Sequence, residues 1–285
     1  MGLSFLSRRT LAVGAVVVAG ALGLSACGGD TTSASSDGAA SSSAPAAGGP
    51  KLVTPGKLTT CTNLPYEPFQ FKEGDKTVGF DVDIVDLAAK KLGLTQEIVD
   101  IDFAVIKSGA AMAAGKCDVA AAGMTITPER QANITFSVPY FDATQALLAK
   151  KGVGVKTLDE IKAKGLKLGA QASTTGLDYV KKQGLNPKEF ADSPKELLGL
   201  QSGQADVIVQ DLPVVLTWLK KPEIADKFEL VGSLDTGEQY GIGLKKQADP
   251  ILLKAINDAV TTAKSDGTYE QIFVKWFGKK PGELG

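Results

Sequence analysis

The stretch Gly123–Arg130, Gly-Met-Thr-Ile-Thr-Pro-Glu-Arg, directly follows the short apolar run Asp118–Ala122. Such a run is typical of a buried parallel strand, and the glycine after it indicates where the strand ends. Open α/β sheets bind ligands at the carboxyl ends of their strands. We therefore predict an α/β fold in which Gly123, Thr125 and Arg130 lie beside a ligand cleft.

A helix is predicted to begin just after Thr127. Thr127 is a good N-cap, Pro128 has the fixed φ that suits the first helical position, and Glu129 favours the positive end of the helix dipole. Arg130 then occupies the third position, where a capping box would have Glu or Gln. Its guanidinium is therefore free for a two-pronged contact with an anion, and a surface ion pair is the alternative.

Strand and helix patterns alternate along the rest of the chain, as in parallel sheets with crossover helices. Strands are predicted at Leu58–Thr62, Asp118–Ala122, Lys167–Gln171, Ala205–Val209 and Tyr240–Leu244. Helices are predicted at Val82–Leu92, Phe103–Ala114, Leu158–Lys164, Gly176–Gln183, Pro194–Ser202, Pro250–Ser265 and Thr268–Phe277. A second run of this pattern begins near Gly154, which indicates two lobes.

Two further strand ends carry polar groups. Ser173–Thr175 opens a helix directly after a strand, and its backbone N–H groups suit an anion, although ordinary N-capping is the alternative. Asp211 ends another strand, where it could bind an ammonium or cap the helix expected from Pro213. Together with Arg130, these groups match the two charges of an amino-acid zwitterion.

The amino terminus has the features of an export signal. Two arginines precede the apolar run Leu11–Leu24, which is shorter than the roughly 20 residues of a membrane-spanning helix. The run ends in Leu24–Cys27, which resembles a bacterial lipobox, so we predict a signal peptide at 1–26 and lipidation of Cys27. The Gly-, Ser- and Ala-rich residues 27–50 predict a flexible tether. The arginine pair leaves twin-arginine and ordinary secretion both open.

Composition excludes several function classes. The chain has 31 basic and 32 acidic residues and no basic stripe, so we predict no nucleic-acid partner. It contains no histidine, which removes the commonest general base and most zinc sites. Asp81, Asp83 and Asp86 are interpreted as helix-start acids, not as metal ligands. No metal, cofactor or catalytic residue is predicted.

The pairing of Cys61 and Cys117 stays open. An exported protein with two such cysteines favours a disulfide. If the predicted strands Leu58–Thr62 and Asp118–Ala122 are neighbours, however, the two cysteines lie near opposite strand ends, farther apart than the ~7 Å that a disulfide allows.

Several ordered motifs resemble the bacterial extracellular solute-binding proteins of the polar amino-acid family. The resemblance covers nearly everything after Leu58. The motifs are Gly79–Ile84, Gly115–Asp118, Gly123–Arg130, Phe136–Tyr140, Val207–Asp211, Gln239–Ile242, Asp266–Tyr269 and Lys275–Trp276.

The resemblance implies a two-lobed clamshell, each lobe a mainly parallel sheet flanked by helices. Lobe 1 would comprise residues 51–140 and the return segment 238–285, and lobe 2 residues 141–237. The chain would cross between the lobes near 140–144 and 236–240.

The resemblance also implies a set of ligand contacts. Arg130 would bind the α-carboxylate with the Thr125 hydroxyl and the Thr175 backbone N–H. Asp211 would bind the α-ammonium with the Gly123 carbonyl.

The remaining implied contacts concern the ligand's side chain. Tyr66 and Phe103 would cover it, with core packing as the alternative for each ring, and Asn63, Gln171 and Gln210 would meet its distal end. All three distal residues are uncharged amides, which predicts a neutral polar ligand such as glutamine first. A basic ligand comes second, because Glu67 could turn inward.

The expected function is that of a monomeric, lipid-anchored receptor that gives a free amino acid to the membrane subunits of an ABC importer on the outer face of the cell membrane. The alternative is a dehydratase of prephenate-like substrates on the same fold. Such an enzyme needs an acid to protonate a leaving group, and Glu67 is the unassigned carboxylate near the expected cleft.

Overall fold

A computed structural model of the chain describes residues 48–284. The predicted signal peptide, Cys27 and nearly all of the tether lie outside these residues. Among the described residues, no helix combines the length and apolar character needed to cross a bilayer.

The described chain contains two main mixed sheets, a small hairpin and flanking helices. The strands are β1 (Lys57–Thr62), β2 (Phe71–Glu73), β3 (Lys76–Val78), β4 (Thr95–Asp100), β5 (Val119–Ala120), β6 (Ile134–Phe136), β7 (Phe141–Lys150), β8 (Leu168–Gln171), β9 (Lys188–Phe190), β10 (Val207–Asp211), β11 (Phe228–Tyr240) and β12 (Gly243–Lys245). The helices are α1 (Phe80–Lys91), α2 (Phe103–Lys107), α3 (Ala110–Ala113), α4 (Pro128–Gln131), α5 (Leu158–Ala163), α6 (Thr175–Lys182), α7 (Ser193–Gln201), α8 (Leu212–Trp218), α9 (Pro222–Ala225), α10 (Pro250–Asp266) and α11 (Thr268–Phe277). The predicted α/β class is confirmed.

The first sheet has the strand order β4-β1-β5-β12-β6, and the second has the order β11-β7-β10-β8-β9. In the first sheet, β1 pairs in parallel with β4 and β5, whereas β12 is antiparallel to β5 and β6. In the second, β8 is parallel to β10 and β9, whereas β7 is antiparallel to β10 and β11. Each sheet is therefore half parallel and half antiparallel, which is more mixed than expected from the sequence.

Two long strands carry the chain between the sheets. The chain leaves the first sheet after β6, enters the second with β7, and returns through β11 to β12. β7 and β11 pair with each other along most of their length, from Phe141 opposite Tyr240 to Lys150 opposite Phe228. The sequence did not predict either strand in full. β11 alternates partly buried and exposed residues, so it lacks the apolar run of an internal strand.

An aromatic cluster fixes the point where these strands meet the first sheet. The Phe141 ring lies 5.3 Å from that of Tyr240, 5.8 Å from that of Phe273 and 5.6 Å from that of Phe80. The cluster joins both crossing strands to α1 and to the C-terminal helix α11. The C-terminal helices α10 and α11 therefore pack on the first sheet's side, against α1.

The predicted single helix over Phe103–Ala114 is wrong: the segment forms two short helices, α2 and α3. Ser108 ends α2, and Gly109 follows with a φ of 79°. That φ lies in the left-handed region, which stops a right-handed helix and favours glycine. The predicted strand over Asp118–Ala122 is likewise shorter, because only Val119 and Ala120 pair as β5.

Cys61 and Cys117 form a disulfide, with Cα atoms 5.6 Å apart. A strand beginning at residue 118 would place Cys117 beyond the reach of Cys61. Instead β5 begins only at Val119, and the preceding chain bends so that the Lys116 N–H donates to the Ala111 carbonyl at 3.0 Å. The bend brings Cys117 into the same buried apolar cluster as Cys61.

Replacing both cysteines, as Cys61→Ala with Cys117→Ala, should lower the free energy of unfolding by about 2 to 4 kcal/mol. The bond links residues 56 positions apart, so its loss frees a long loop in the unfolded chain. Urea unfolding with and without reductant measures the effect. Reductant should destabilise the parent and leave the double variant unchanged. Equal stability of parent and variant under oxidising conditions would contradict this account.

Candidate ligand-binding site

All ten residues predicted for a ligand site line one cavity, formed where strands of both sheets end. Those contributed from the first sheet's side are Asn63, Tyr66, Phe103, Gly123, Thr125 and Arg130. Those from the second sheet's side are Gln171, Thr175, Gln210 and Asp211. The three strand-end groups predicted from the sequence, Arg130 with Thr125, Thr175 and Asp211, thus lie at the same cavity.

Arg130 is held in the cavity wall by the helix start that the sequence predicted. Thr127 has an extended backbone and its hydroxyl accepts from the Arg130 N–H at 3.2 Å, with proline at the first helical position. The Arg130 side chain is only 6% exposed, and its guanidinium carbon lies 5.5 Å from the centroid of the Phe103 ring. Burial lowers the pKa of Arg130, but a guanidinium stays charged at any physiological pH.

The Arg130 guanidinium donates two hydrogen bonds to acceptors within the protein. One terminal nitrogen donates to the Thr125 carbonyl at 2.8 Å, and the other donates to the Ser173 carbonyl at 3.4 Å across the cleft. Five N–H donors are present on arginine, so several remain for an anion. Within residues 48–284, Arg130 forms no salt bridge.

The opposing wall contributes the first turn of α6. Thr174 is the N-cap and accepts from the Leu177 N–H at 3.2 Å, so the ordinary capping role belongs to this residue. Thr175 is the first helical residue, and helix geometry leaves its N–H without an intrahelical acceptor. Its hydroxyl lies 3.3 Å from that of Thr125 on the other side of the cleft.

Asp211 is a buried carboxylate with three side-chain donors. The hydroxyls of Tyr66 and Tyr240 donate to one oxygen, and the Gln145 amide donates to the other. Its side chain makes no capping hydrogen bond to α8, so the capping alternative is wrong. Burial raises the pKa of Asp211, whereas the three hydrogen bonds and the charge of Arg130 oppose that rise.

Gly123 is positioned by a carboxylate that was interpreted from sequence as a helix-start acid. The Gly123 N–H donates to Asp81 at 2.8 Å, and the Tyr140 hydroxyl donates to the other Asp81 oxygen at 2.8 Å. Gly123 has a φ of 54°, and a Cβ there would lie 3.0 Å from the Tyr66 ring. Burial raises the pKa of Asp81 to about 7.

The amides lining the cavity have defined orientations. The Asn63 amide nitrogen donates to the Ile101 carbonyl at 3.1 Å, and that of Gln70 donates to the Asn63 carbonyl at 3.3 Å. Because a backbone carbonyl can only accept, both amide oxygens are turned away from these partners. The buried side-chain oxygens of Gln70 and Gln171 have no hydrogen-bond partner among the described residues. Two acceptor atoms in residues of this wall are therefore without a donor among the described residues.

Glu67, the carboxylate considered for a basic ligand or for acid catalysis, does not line the cavity. Its side chain pairs with Lys221 at 3.2 Å. This ion pair links the loop after β1 with the segment after α8, so it joins the two sides of the cleft at the surface.

Five cavity-lining residues were missed from the sequence: Gln70, Ala122, Gln145, Thr174 and Val209. Ala122, Thr174 and Val209 are direct neighbours of predicted residues, and a wider reading of the strand ends would have found them. Gln145 lies on the unpredicted strand β7, where it is the register partner of Asp211. No local signal marks such a long-range pairing.

Comparison with known proteins assigns the chain to a family. The pattern of the bacterial extracellular solute-binding proteins, family 3, matches residues 58–279. The chain belongs to this family. Its two-lobed α/β fold is thus the fold of the family's amino-acid-binding members, as the sequence implied.

Individual family members show the same similarity over most of their length. The probable histidine-binding protein of Neisseria gonorrhoeae is 33% identical over 95% of this chain and 97% of its own. The ABC transporter glutamine-binding protein GlnH of Bacillus subtilis is 32% identical over 72% of this chain and 74% of its own. The structure of an ancestral arginine-binding protein bound to glutamine aligns with a TM-score of 0.72 and 40% identity, covering 79% of this chain and all of that one.

Asp81→Asn should flatten the dependence of stability on pH. Because the folded-state pKa of Asp81 is raised from 3.8 to about 7, the folded state binds more protons than the unfolded state between these values. Stability contributed by this group is therefore present below pH ~4 and lost as the pH rises to ~7, by up to about 1.4 kcal/mol per pH unit.

Urea unfolding at a series of pH values between about 4 and 8 measures the slope. Asp86→Asn, which removes a partly exposed carboxyl from the same helix, is the matched control and should keep the parent's slope. An Asp81→Asn slope as steep as the parent's would exclude Asp81 as the source.

Proposed function

We propose that this protein captures a free amino acid outside the cytoplasm and delivers it to the membrane subunits of an ABC importer. One observation carries the proposal. A buried guanidinium, Arg130, and a buried carboxylate, Asp211, line the same cavity without pairing with each other. A buried charge is costly without a partner, so this pair fits a ligand that carries both a carboxylate and an ammonium.

The relatives support this ligand class. Their names specify histidine, glutamine and arginine as bound amino acids, which differ in the side chain and share the zwitterionic backbone. A site that binds the shared backbone groups separately from the side chain would suit ligands of this series.

In this proposal each wall contributes part of the grip. Arg130, the Thr125 hydroxyl and the Thr175 N–H bind the α-carboxylate, and Asp211 with the Gly123 carbonyl binds the α-ammonium. The rings of Tyr66 and Phe103 cover the side chain, and Asn63, Gln171 and Gln210 meet its distal end. Acceptors on the distal wall disfavour an acidic side chain, so the ligand is a neutral polar or basic amino acid.

Closure follows from the two-sided grip. We assign lobe 1 to residues 51–140 and 238–285 and lobe 2 to residues 141–237, because β7 and β11 carry the chain between the sheets. A ligand that contacts both lobes favours the closed form over the open one by its extra contacts, which is a population shift. The membrane subunits of the importer would then bind the closed form in preference to the open form.

The carboxyl group considered for the dehydratase alternative, Glu67, does not line the cavity. Such an enzyme requires a carboxyl group directed at the substrate, and Glu67 is instead paired with Lys221 outside the cavity lining. A binding protein without covalent chemistry is therefore the function we propose.

Anchoring is part of the proposal. The lipobox-like sequence ending in Cys27 supports attachment of a monomer to the outer face of the cell membrane through a lipid on that cysteine, with residues 27–50 as a tether.

Arg130→Ala should weaken amino-acid binding by about 2 to 4 kcal/mol, because a bidentate contact to a buried carboxylate is lost. Calorimetry with glutamine, asparagine, histidine, arginine, lysine and glutamate measures the parent's affinity and then the loss. Gln131→Ala, an exposed change on the same helix, is the control and should bind like the parent. Binding by Arg130→Ala within a few-fold of the parent would refute the assignment.

Cys27→Ser should release the protein from membranes or leave its signal peptide uncleaved. Fractionation of cells that express either form, with detergent extraction of the pellet, detects the difference. A processed Cys27→Ser protein that still sediments with membranes would show that the cysteine is not the point of attachment.

A further inference from the structure

Glu196 is a carboxylate that the proposed grip does not use, and it is fully buried behind the distal wall. It lies in the first turn of α7, where its sequence position is typical of an acid that favours a helix start. Its side chain has 0% exposure and does not line the cavity. One oxygen accepts from the Gln210 amide nitrogen at 2.7 Å, and the other has no partner among the described residues.

The contact fixes the orientation of the Gln210 amide. The Asp211 backbone N–H donates to the Gln210 side-chain oxygen at 2.8 Å, and the hydroxyl oxygen of Tyr66, which donates to Asp211, lies 2.7 Å from the same oxygen. A backbone N–H can only donate, so the atom of the Gln210 amide that faces the Asp211 N–H must be the oxygen. The nitrogen end then points to Glu196 and away from the ligand.

Four of the five amides that line the cavity donate an N–H to a protein acceptor, and Gln145 does so to Asp211. Asn63 donates to a backbone carbonyl, Gln70 to another, and Gln210 to Glu196. The oxygens of Gln70 and Gln171 stay without partners. A ligand side chain rich in N–H donors satisfies such a wall, and one that also needs donors does not.

We propose that Glu196 is a positioning residue for specificity. It holds the Gln210 amide nitrogen away from the cleft and places behind the distal wall a carboxyl group that a bound cation would ionise, so that the cleft favours a guanidinium side chain over an uncharged one of the same shape. This inference rests on the proposed binding of amino acids. It places a basic ligand ahead of the neutral one that the three amides favour on sequence alone.

The charge state of Glu196 responds to the ligand. Burial raises the pKa of Glu196, the nearby Asp211 carboxylate raises it further, and the hydrogen bond from Gln210 opposes the rise. A guanidinium at the distal wall would favour the ionised carboxylate. A neutral side chain of the same shape would not.

Arginine and citrulline separate charge from shape, because citrulline replaces the guanidinium by an uncharged ureido group. Calorimetry on the Cys27→Ser protein should show arginine binding at least about tenfold tighter than citrulline. In Glu196→Gln, which keeps an acceptor for Gln210 and removes the charge, this ratio should fall to within about threefold, mainly through weaker arginine binding. Glu189→Gln, an exposed change that breaks only the pair with Lys181, should keep the parent's ratio.

Glu196→Asp retains the charge and should keep a ratio closer to the parent's than to that of Glu196→Gln. A parent that binds citrulline as tightly as arginine overturns the inference before any variant is made. An unchanged ratio in Glu196→Gln, or an equal loss for both ligands, also overturns it, since a structural role would affect both alike. If the parent binds no amino acid at all, the proposed function itself fails.

Discussion

The buried carboxylate of Asp211 imposes the constraint on which the arrangement of the cleft depends. A carboxylate removed from water must be given donors, and those of Asp211 come from three separate parts of the chain. Tyr66 lies in the loop after β1, Gln145 lies on one crossing strand, and Tyr240 ends the other. The donors to this single group therefore come from the first sheet's side and from both crossing strands, and they meet on the second sheet at Asp211.

The crossing strands are held by packing as well as by this charge. Tyr240 belongs both to the donors of Asp211 and to the aromatic cluster around Phe141, which also includes rings from α1 and α11. Aromatic rings packed edge to face and stacked define their neighbours' positions closely. The C-terminal helices thereby contribute to the site without touching it, because they fix the rings at the base of the crossing.

Patterns of residues adjacent in sequence predicted part of the site, but they could not predict the rest. Thr127 and Pro128 specify a helix start from adjacent residues alone, so the position of Arg130 could be predicted. Gln145 reaches Asp211 only through the pairing of β7 with β10, and Glu196 has the sequence context of any first-turn acid. Such residues depend on contacts distant in sequence, which periodicity and capping rules do not describe.

The identity of an amide side chain does not by itself determine which of its atoms a ligand contacts. Its orientation determines this. An amide carries both a donor and acceptors, so the sequence leaves open which of them a ligand meets. In the folded chain, backbone carbonyls can only accept and backbone N–H groups can only donate. These groups therefore fix the orientation of the Asn63, Gln70 and Gln210 amides, and each amide nitrogen points toward the protein. Three neutral residues thereby form a polarised wall. Uncharged amides are therefore compatible with a cleft that prefers a cation, since oriented amide dipoles supply negative potential, and a bound cation would ionise the carboxyl group behind them.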